Sequence, residues 1–266
     1  DIIYKMKQGK EVIAMIAPSV IGQYKASIFQ IAMALKNVGF TKVVEVAIGA
    51  EKTAQVESEE FLERMKRGDK LLGTSCCPAY VASVRKHAPD FMPFVSHAKT
   101  PMAYTAEMVK NDYKDVVTVF IGPCVAKKHE GRKNEYVDYV LTYEEMHCMF
   151  ESKSIDPEKI ELSENDKQNL LEYRDANNVG RGFPVTGGVA EAVKQYFKNT
   201  EVELKPVYID GLTGKTVKLL TSYATKSCPG NLVEVMSCEG GCMSGPGVIE
   251  KPVKAQKRLT DFLDQL

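Results

Sequence analysis

Along this chain, short apolar runs alternate with longer segments in which apolar residues recur at helical spacing. The apolar runs predict strands within 11–20, 41–50, 71–80, 115–124 and 138–142 and at the start of 231–247. The helical spacing predicts helices ending at Val38 and at Gly68, and helices within 81–88, 102–112, 143–152 and 182–197. The segment 152–180 is polar and predicts further helix.

Strands that alternate with helices indicate an α/β fold, here two lobes built on mainly parallel sheets. We place the boundary between the lobes near residues 115–150, with a C-terminal loop returning to the interface. Parallel sheets bind ligands at the carboxyl ends of their strands. Three predicted strands end there in loops, at Ala17-Pro18-Ser19, at 74–78 and at 122–124. We therefore expect these loops to converge on one site.

The composition excludes several classes of protein. The 266 residues are 44% hydrophobic and 26% charged, which is ordinary for a globular chain. Lysine plus arginine and aspartate plus glutamate each total 35, so no net charge favours nucleic acid or a membrane surface as a partner. No apolar run approaches the roughly 20 residues of a membrane span. Residues 1–10 lack the layout of a secretory signal, and we expect a cytoplasmic location.

The seven cysteines do not form the tight spacings of a ferredoxin or of a zinc site. Cys148 and Cys228 are predicted to be buried apolar thiols. The other five stand in loops among glycine, proline and serine. Four thiolates are the usual ligands of a 4Fe–4S cluster, and three separate loops could supply them. The candidates are Cys77, Cys124, Cys238 and Cys242.

Three cysteine motifs resemble those of the catalytic H-domain of the FeFe-hydrogenases, in the same order. They are TSCCPAY at 74–80, PCVAKKHE at 123–130 and MSCEGGCMSGPG at 236–247. Shorter matches occur at 17–20, 96–101 and 183–192. The resemblance therefore covers nearly all of 1–266, and we find no accessory ferredoxin-like cysteine motif in this sequence.

The resemblance implies two lobes that clasp a buried H-cluster. In that family the H-cluster is a 4Fe–4S cubane joined through a cysteine thiolate to a diiron unit with CO, cyanide and azadithiolate ligands. By motif position, Cys77, Cys124, Cys238 and Cys242 would hold the cubane, and Cys242 would bridge to the diiron unit. Thiolates suit iron, and a thiolate sulfur has lone pairs enough to join two metal units. The implied activity is reversible reduction of protons to hydrogen.

The resemblance also implies a proton path. Cys76 would exchange protons with the amine of the diiron unit, and Glu57, Ser96 and Glu60 would carry protons to solvent. Glu57 and Glu60 stand three residues apart on a predicted helix, so they share a face and can act in succession.

Other residues are implied as contacts to the diiron unit. Lys127 would donate hydrogen bonds to one cyanide, and Ser19 with the Pro18 loop would contact the other. Phe183 and Met236 would line the apolar walls. An ammonium offers three donors and a full charge, which suits an anionic ligand in a dry pocket.

The sequence departs from the family pattern at several positions around the predicted site. They are Gly122 where methionine is usual, Tyr80 for tryptophan, Met102 for glutamine, and Ser244 and Pro246 within the last glycine run. Residues next to metal ligands tune a metal site strongly. The departures point towards divergent members, so two alternatives stay open: a hydrogen-sensing module, and a non-catalytic iron–sulfur assembly protein without the diiron unit.

Retention of Cys76, Lys127 and the two glutamates favours the hydrogenase hypotheses, because a protein with no diiron unit would not need them. The remaining Cys148 and Cys228 cannot hold a second four-thiolate cluster. We therefore expect an external electron carrier such as ferredoxin, or a domain outside this sequence, to deliver electrons. Maturation proteins are the other expected partners.

Overall fold

The computed structural model describes residues 1–173, 176–197 and 202–265. The strands, in chain order, are β1 (Val12–Ile16), β2 (Lys42–Glu45), β3 (Leu72–Gly73), β4 (Val117–Ile121), β5 (Tyr139–Leu141), β6 (Leu171–Glu172), β7 (Pro206–Asp210) and β8 (Leu232–Met236). The helices are α1 (Ile2–Lys7), α2 (Ile28–Val38), α3 (Ala47–Arg67), α4 (Pro78–His87), α5 (Pro101–Asp112), α6 (Ala126–Gly131), α7 (Tyr143–Ser152), α8 (Glu164–Asn169), α9 (Asn178–Arg181), α10 (Gly188–Gln195), α11 (Gly214–Thr225) and α12 (Pro252–Leu263). Short 3₁₀ turns cover Pro18–Gly22, Pro89–Phe94, Pro157–Lys159 and Gly241–Ser244.

The strands form two sheets, and their ladders are parallel. The first sheet has the order β5-β4-β1-β2-β6, and the second has the order β3-β8-β7. Parallel neighbours require crossover connections, which the helices provide. The predicted α/β class with mainly parallel sheets is confirmed.

The strands of the two sheets alternate along the chain. β3 follows β2 in sequence but pairs with β8 in the second sheet, and β6 returns to pair with β2 in the first. A cut near residues 115–150 therefore does not separate the two sheets, contrary to the boundary expected from sequence. Crossover connections let each sheet take strands from distant parts of the chain, and strand pairing cannot be read from local pattern.

Both faces of the central strand β1 are buried. Val12, Ala14 and Ile16 pack into one apolar cluster with α2 and α7. Ile13 and Met15 alternate with them and pack into a second cluster with residues of α3 and α5. Because successive side chains of a strand point to opposite faces, an uninterrupted apolar run is the pattern of a strand covered on both sides. This double burial fixes the position at which the loop after β1 begins.

Several element boundaries differ from the prediction. The second predicted strand, 41–50, ends at Glu45, and α3 already begins at Ala47. Helix α3 packs closely against α5 here, since a Cβ on Gly49 would lie 2.3 Å from the carbonyl oxygen of Pro101. Periodicity alone cannot tell a buried strand from the first turn of a buried helix. The end of α3 agrees with the prediction, because Gly68 is left-handed, with φ +90°.

The polar segment 152–180 is mixed rather than helical, since it holds the short strand β6 between α8 and α9. The strand β7 and the helices α1, α11 and α12 are not among the elements predicted from the sequence. In the part of the chain that the structure describes, no helix combines the length and apolar character needed to cross a membrane.

Candidate functional site

Loops that follow four parallel strands meet at one cavity. From the first sheet, β1 leads into the turn Pro18–Gly22 and β4 into the loop before α6. From the second sheet, β3 leads into the loop before α4 and β8 into the turn Gly241–Ser244. Carboxyl ends of parallel strands open at the same edge of a sheet, so each sheet contributes two loops. The cavity has about 850 Å³ of empty space, counted with its mouth to solvent.

The predicted metal-ligand and cofactor-binding side chains all line this cavity, and so does the first cysteine of the TSCCPAY motif. They are Cys76, Cys77, Cys124, Cys238, Cys242, Pro18, Ser19, Lys127, Phe183 and Met236. Much of the remaining wall is apolar, with Val46, Met102 and Phe120 among its residues. The loops therefore converge as expected, although convergence does not test the role of each residue.

The four predicted thiol ligands share one electrostatic environment. Burial raises the pKa of the Cys242 thiol, and charges on Cys77, Cys124 and Cys238 raise it further. The pKa of Cys238 rises to about 11, again first through burial and then through Cys124 and Cys77. Cys77 Sγ also donates to Ser237 Oγ at 3.3 Å. These mutual effects place the four thiols near one another, and a thiol with a raised pKa stays protonated unless a cation binds it.

This donor set fits a cluster better than a single ion. Among the described residues, no three His, Cys, Asp or Glu side chains are placed to hold one metal ion. A 4Fe–4S cubane takes one thiolate on each iron, and the four sulfurs then stand further apart than ligands of one ion. The four thiols, which come from three loops, line one cavity and match the ligand number of such a cluster.

Glycines let the last cysteine loop approach its neighbours closely. Gly241 has φ +76°, and a Cβ there would lie 2.4 Å from the carbonyl oxygen of Pro184. The next residue, Cys242, donates its N–H to that same oxygen at 2.6 Å. A Cβ on Gly245 would lie 2.7 Å from the carbonyl oxygen of Pro123, beside Cys124. The loop therefore sets Cys242 against both the 183–186 segment and the loop after β4.

Lys127 is a buried ammonium group in the cavity wall. It is 8% exposed, and its Nζ donates to Glu130 Oε2 at 2.8 Å. Thr100 Oγ1 donates to the other carboxylate oxygen of Glu130. Burial opposes the charge on Lys127, yet the pKa is raised overall because Glu130, Cys124 and Cys76 favour the cation. The ammonium thus stays charged and keeps two further donors for the cavity.

Ser19 is 1% exposed and lines the cavity. Its Oγ lies 2.7 Å from the hydroxyl oxygen of Tyr143, and that hydroxyl donates to the carbonyl oxygen of Ala17 at 3.0 Å. Tyr143 is fully buried at the start of α7. This hydrogen-bonded pair joins the turn after β1 to a helix that begins more than a hundred residues later.

Glu57 lies buried behind Cys76. Its Oε1 accepts a hydrogen bond from Ser75 N at 2.7 Å and lies 3.1 Å from Ser75 Oγ, and its buried Oε2 has no partner among the described residues. Burial raises the pKa of Glu57 to about 7, although the bonds from Ser75 oppose the rise. The charge on Glu57 in turn raises the pKa of Cys76, after burial. Glu57 therefore changes its protonation state near neutral pH.

Glu60 and Ser96 are in direct contact nearer the surface. Ser96 Oγ donates to Glu60 Oε2 at 2.7 Å, and Arg64 donates to Oε1 at 2.6 and 2.9 Å. His97 adds its N–H to Oε2 and places Nδ1 2.9 Å from Oε1, with 86% of its side chain exposed. Burial opposes ionisation, but these hydrogen bonds lower the pKa of Glu60 overall.

The structure joins the predicted proton-path residues in two groups. Glu57 contacts Ser75, and Glu60 contacts Ser96. The two groups meet at Ala98, whose carbonyl accepts from Ser75 Oγ at 2.8 Å and whose N–H donates to Ser96 Oγ at 3.0 Å. The two groups are thus connected through the backbone of Ala98 and not through a hydrogen bond between side chains.

Sequence reasoning missed four residues of this site. Ser75 stands inside the first cysteine motif, and Arg64 stands four residues after Glu60 on α3, a spacing that places both on one face. Glu234 interrupts the apolar strand β8, and a charged residue in a buried strand needs a partner. Tyr143 carries no local signal, because its partner is remote in sequence.

Glu234 fixes the wall formed by the 183–188 segment. Its two carboxylate oxygens accept the backbone N–H groups of Gly187 at 2.7 Å and Ala190 at 2.8 Å, at the start of α10. Burial raises the pKa of Glu234 to about 7 against the effect of these bonds. The Glu234 carboxylate therefore links β8 of the second sheet to α10. Phe183 lies in the segment that precedes α10.

The two remaining cysteines lie away from the cavity wall, and one prediction about them is wrong. Cys148 is exposed on α7 rather than buried, because it stands on the face of the helix that turns away from Tyr143, Met146 and Phe150. Cys228 is partly buried and packs against the second sheet's apolar cluster.

Three of the residues that depart from the family pattern lie in closely packed surroundings. A Cβ on Gly122 would lie 2.7 Å from the ring of Phe120, so that ring occupies the space of a larger side chain. Tyr80 is fully buried, and its hydroxyl has no partner among the described residues. Met102 is fully buried in the cavity wall.

Comparison with known proteins identifies several relatives. The family model described as "Iron only hydrogenase large subunit, C-terminal domain" matches residues 10–246. The chain is 30% identical to the periplasmic Fe hydrogenase large subunit of Nitratidesulfovibrio vulgaris, over 96% of this chain and 74% of that protein. It is 29% identical to iron hydrogenase 1 of Clostridium pasteurianum, over 90% of this chain and 50% of that one.

Two further similarities are more distant. Protein NAR1 of Arabidopsis thaliana is 24% identical over 99% of this chain and 71% of its own length. A variant of the FeFe-hydrogenase HydA1 from Chlamydomonas reinhardtii superimposes with a TM-score of 0.75 at 23% identity, covering 94% of this chain and 84% of that one. At this identity the superposition establishes the fold alone.

Proposed function

Because the chain belongs to the iron-only hydrogenase large subunit family, through the C-terminal domain, we propose that it reduces protons reversibly to hydrogen at an H-cluster. Cys77, Cys124, Cys238 and Cys242 would hold the cubane, and Cys242 would bridge to the diiron unit. When bound, the cluster would supply the redox-active iron at which electrons and protons combine. The cavity, the thiol donor set and the glycine-lined loop are compatible with a group of that size.

The observation that carries this proposal is the buried ammonium of Lys127 in the same wall as the thiols. A cubane held by four thiolates is anionic and would itself be stabilised by an ammonium group. Lys127 also has donors left for a further anionic ligand such as cyanide, because a buried anion is costly without a charged partner. Glu130 holds Lys127 in place through one donor and leaves two for the cavity.

Cys76 in the cavity wall and the buried Glu57 would move protons. The Cys76 thiol, whose pKa burial raises, holds a proton at Sγ, and Glu57 has a pKa of about 7. Groups that change protonation near the working pH make efficient relays. From there the proposed path continues over Ser96 to Glu60 and the exposed ring of His97.

The test is to mature the protein with the diiron unit and record its infrared spectrum. Bands of CO and cyanide, which no protein group produces, together with hydrogen evolution from reduced ferredoxin, are the expected result. The variant K127M should shift a cyanide band or prevent retention of the diiron unit. K128M is the matched control, because Lys128 pairs with the partly exposed Glu145. A matured protein with neither CO nor cyanide bands would overturn the proposal.

A second candidate is an iron–sulfur assembly protein that carries the cubane alone, favoured by the similarity to the cytosolic Fe-S cluster assembly factor narfl of Xenopus tropicalis, which is 22% identical over 87% of this chain. It predicts a reducible cubane and no CO or cyanide bands. A hydrogen sensor would share the CO and cyanide bands and differ in its slow turnover.

The hydrogenase proposal includes an external electron carrier and maturation proteins as partners. It also includes a cytoplasmic location. The similarity to a periplasmic relative makes fractionation of the native host the check on location.

A further inference from the structure

The hydroxyl groups of Tyr143 and Ser19 form a buried pair at one wall of the cavity. Ser19 lines the cavity, and Tyr143 lies behind it without reaching the wall. The Tyr143 hydroxyl oxygen is 2.7 Å from Ser19 Oγ and 3.0 Å from the carbonyl oxygen of Ala17. Both distances are those of good hydrogen bonds between oxygen atoms.

The directions of these two hydrogen bonds follow from counting protons. A carbonyl oxygen only accepts, so the single proton of the Tyr143 hydroxyl is donated to Ala17. The contact between the two hydroxyls must then use the proton of Ser19. A serine hydroxyl has one proton and two lone pairs. Ser19 therefore has only lone pairs to offer the cavity.

Tyr143 is held too firmly to reverse this arrangement easily. Its backbone N–H donates to the carbonyl oxygen of Gly247 at 3.1 Å, and Gly247 N–H donates to the carbonyl oxygen of Pro123 at 2.8 Å. Thr142 caps the same turn of α7 through its side chain. The ring is completely buried, so its hydroxyl cannot turn to solvent for another partner.

We propose that Tyr143 is a positioning residue that makes Ser19 a hydrogen-bond acceptor at the cavity wall. The inference rests on the proposed function and refines it, since Ser19 would then give no hydrogen bond to a cyanide. Lys127 supplies charged donors at its own wall. Of these two residues, Lys127 would therefore offer hydrogen-bond donors to the diiron unit, and Ser19 would offer only an acceptor.

The test compares cyanide bands in the infrared spectra of four matured proteins: wild type, S19A, Y143F and the double variant. S19A should leave the cyanide bands in place, because no donor is lost. Y143F keeps the ring and frees the Ser19 proton for the cavity, so one cyanide band should move. In the double variant that band should return to its wild-type position. A band shift in S19A alone, or no shift in Y143F, would overturn the inference.

Two controls separate this inference from failure of the proposed function. Iron content and the melting temperature of each variant show whether the protein still folds around its cubane. If wild type shows no CO or cyanide bands, the proposed function fails. The melting temperatures of the variants then test whether the hydroxyl groups of Ser19 and Tyr143 are paired. Y143F and S19A remove the same hydrogen bond, so their losses should not add. Additive losses would show that the two hydroxyls are not paired.

Discussion

Glu57 Oε1 accepts a hydrogen bond from the backbone N–H of Ser75 and lies 3.1 Å from its hydroxyl oxygen, while Glu57 Oε2 is buried without a partner among the described residues. A carboxyl group with one satisfied and one unsatisfied oxygen is poorly stabilised as an anion. Ser75 thus orients Glu57 without fixing its charge. The residue that precedes Cys76 in sequence thereby connects the helix α3 to the first cysteine loop.

The titration of Glu57 predicts a pH dependence of stability. Its folded pKa of about 7 lies above the ordinary 4.5, so the folded state binds more protons than the unfolded state between these values. Stability therefore falls as pH rises through this range. E57Q cannot ionise and should gain about 2 kcal/mol relative to wild type between pH 5 and pH 8, by chemical denaturation at each pH.

Glu59, exposed on the same helix, provides the matched control for this measurement. E59Q should leave the difference between pH 5 and pH 8 as it is in wild type. All proteins must be compared at the same cluster content, because the cluster charge acts on Glu57 as well. Parallel pH curves for E57Q and wild type would contradict a raised pKa.

Arg64 should be a key residue for stability, although the sequence gives it no role. Its guanidinium is 5% exposed, donates twice to Glu60 and donates to the carbonyl oxygens of Pro93 and Val95. R64M leaves a largely buried carboxylate without its charged partner and should cost about 2–4 kcal/mol of unfolding free energy. R67M is the control, because Arg67 is 70% exposed and pairs with Asp69 at the surface. Equal stability of R64M and R67M would contradict the prediction.

A side chain at Gly241 should disturb the last cysteine loop. G241A places a Cβ 2.4 Å from the Pro184 carbonyl oxygen at a residue with φ +76°, which costs about 1–3 kcal/mol. Since Cys242 follows directly, iron content per protein should fall together with the melting temperature. G214A is the control, because a Cβ at Gly214 meets no atom within 4 Å. If G241A binds as much iron as G214A, the loop is less constrained than the contacts indicate.

The fold could be predicted from the sequence where burial is two-sided or a helix end is marked. The apolar run of β1 and the glycine that ends α3 are examples, since each is a local signal of one structure. The boundary near 115–150 failed because the pairing of β3 with β8 depends on distant residues. The second predicted strand extends too far for a different reason. Helix α3 begins inside an apolar run that also suits a strand.

The candidate site was predicted in its composition more than in its hydrogen bonding. Motif position placed Cys77 and Lys127 at one cavity, and the structure brings them there. The partners of these residues were hidden where they lie far away in sequence, as Tyr143 does from Ser19. The pair of Lys127 and Glu130 is different, because residues three apart on one helix are neighbours and this contact is local.

Cys76 and Cys77 should differ sharply, although they are neighbours in one loop. Cys77 raises the pKa of Cys242, Cys238 and Cys124, so it lies among the predicted ligands. Cys76 packs with the apolar cluster that contains Phe183 and Met236, and the Glu57 charge acts on it before those of Cys77 and Cys242. C77A should therefore abolish most iron binding and lower the melting temperature, because a ligand that links loops of both sheets is lost.

C76A should keep the full iron content of wild type and the paramagnetic signal of a reduced cubane. Hydrogen evolution should fall about a hundredfold or more, the usual cost of removing a group that transfers protons. Iron and sulfide analysis, paramagnetic resonance and gas measurement on matched preparations of both variants decide the matter. Wild-type hydrogen evolution in C76A would exclude the relay role. Loss of the cubane in C76A with retention in C77A would show that the ligand and the relay residue are exchanged, and the two assignments would have to be reversed.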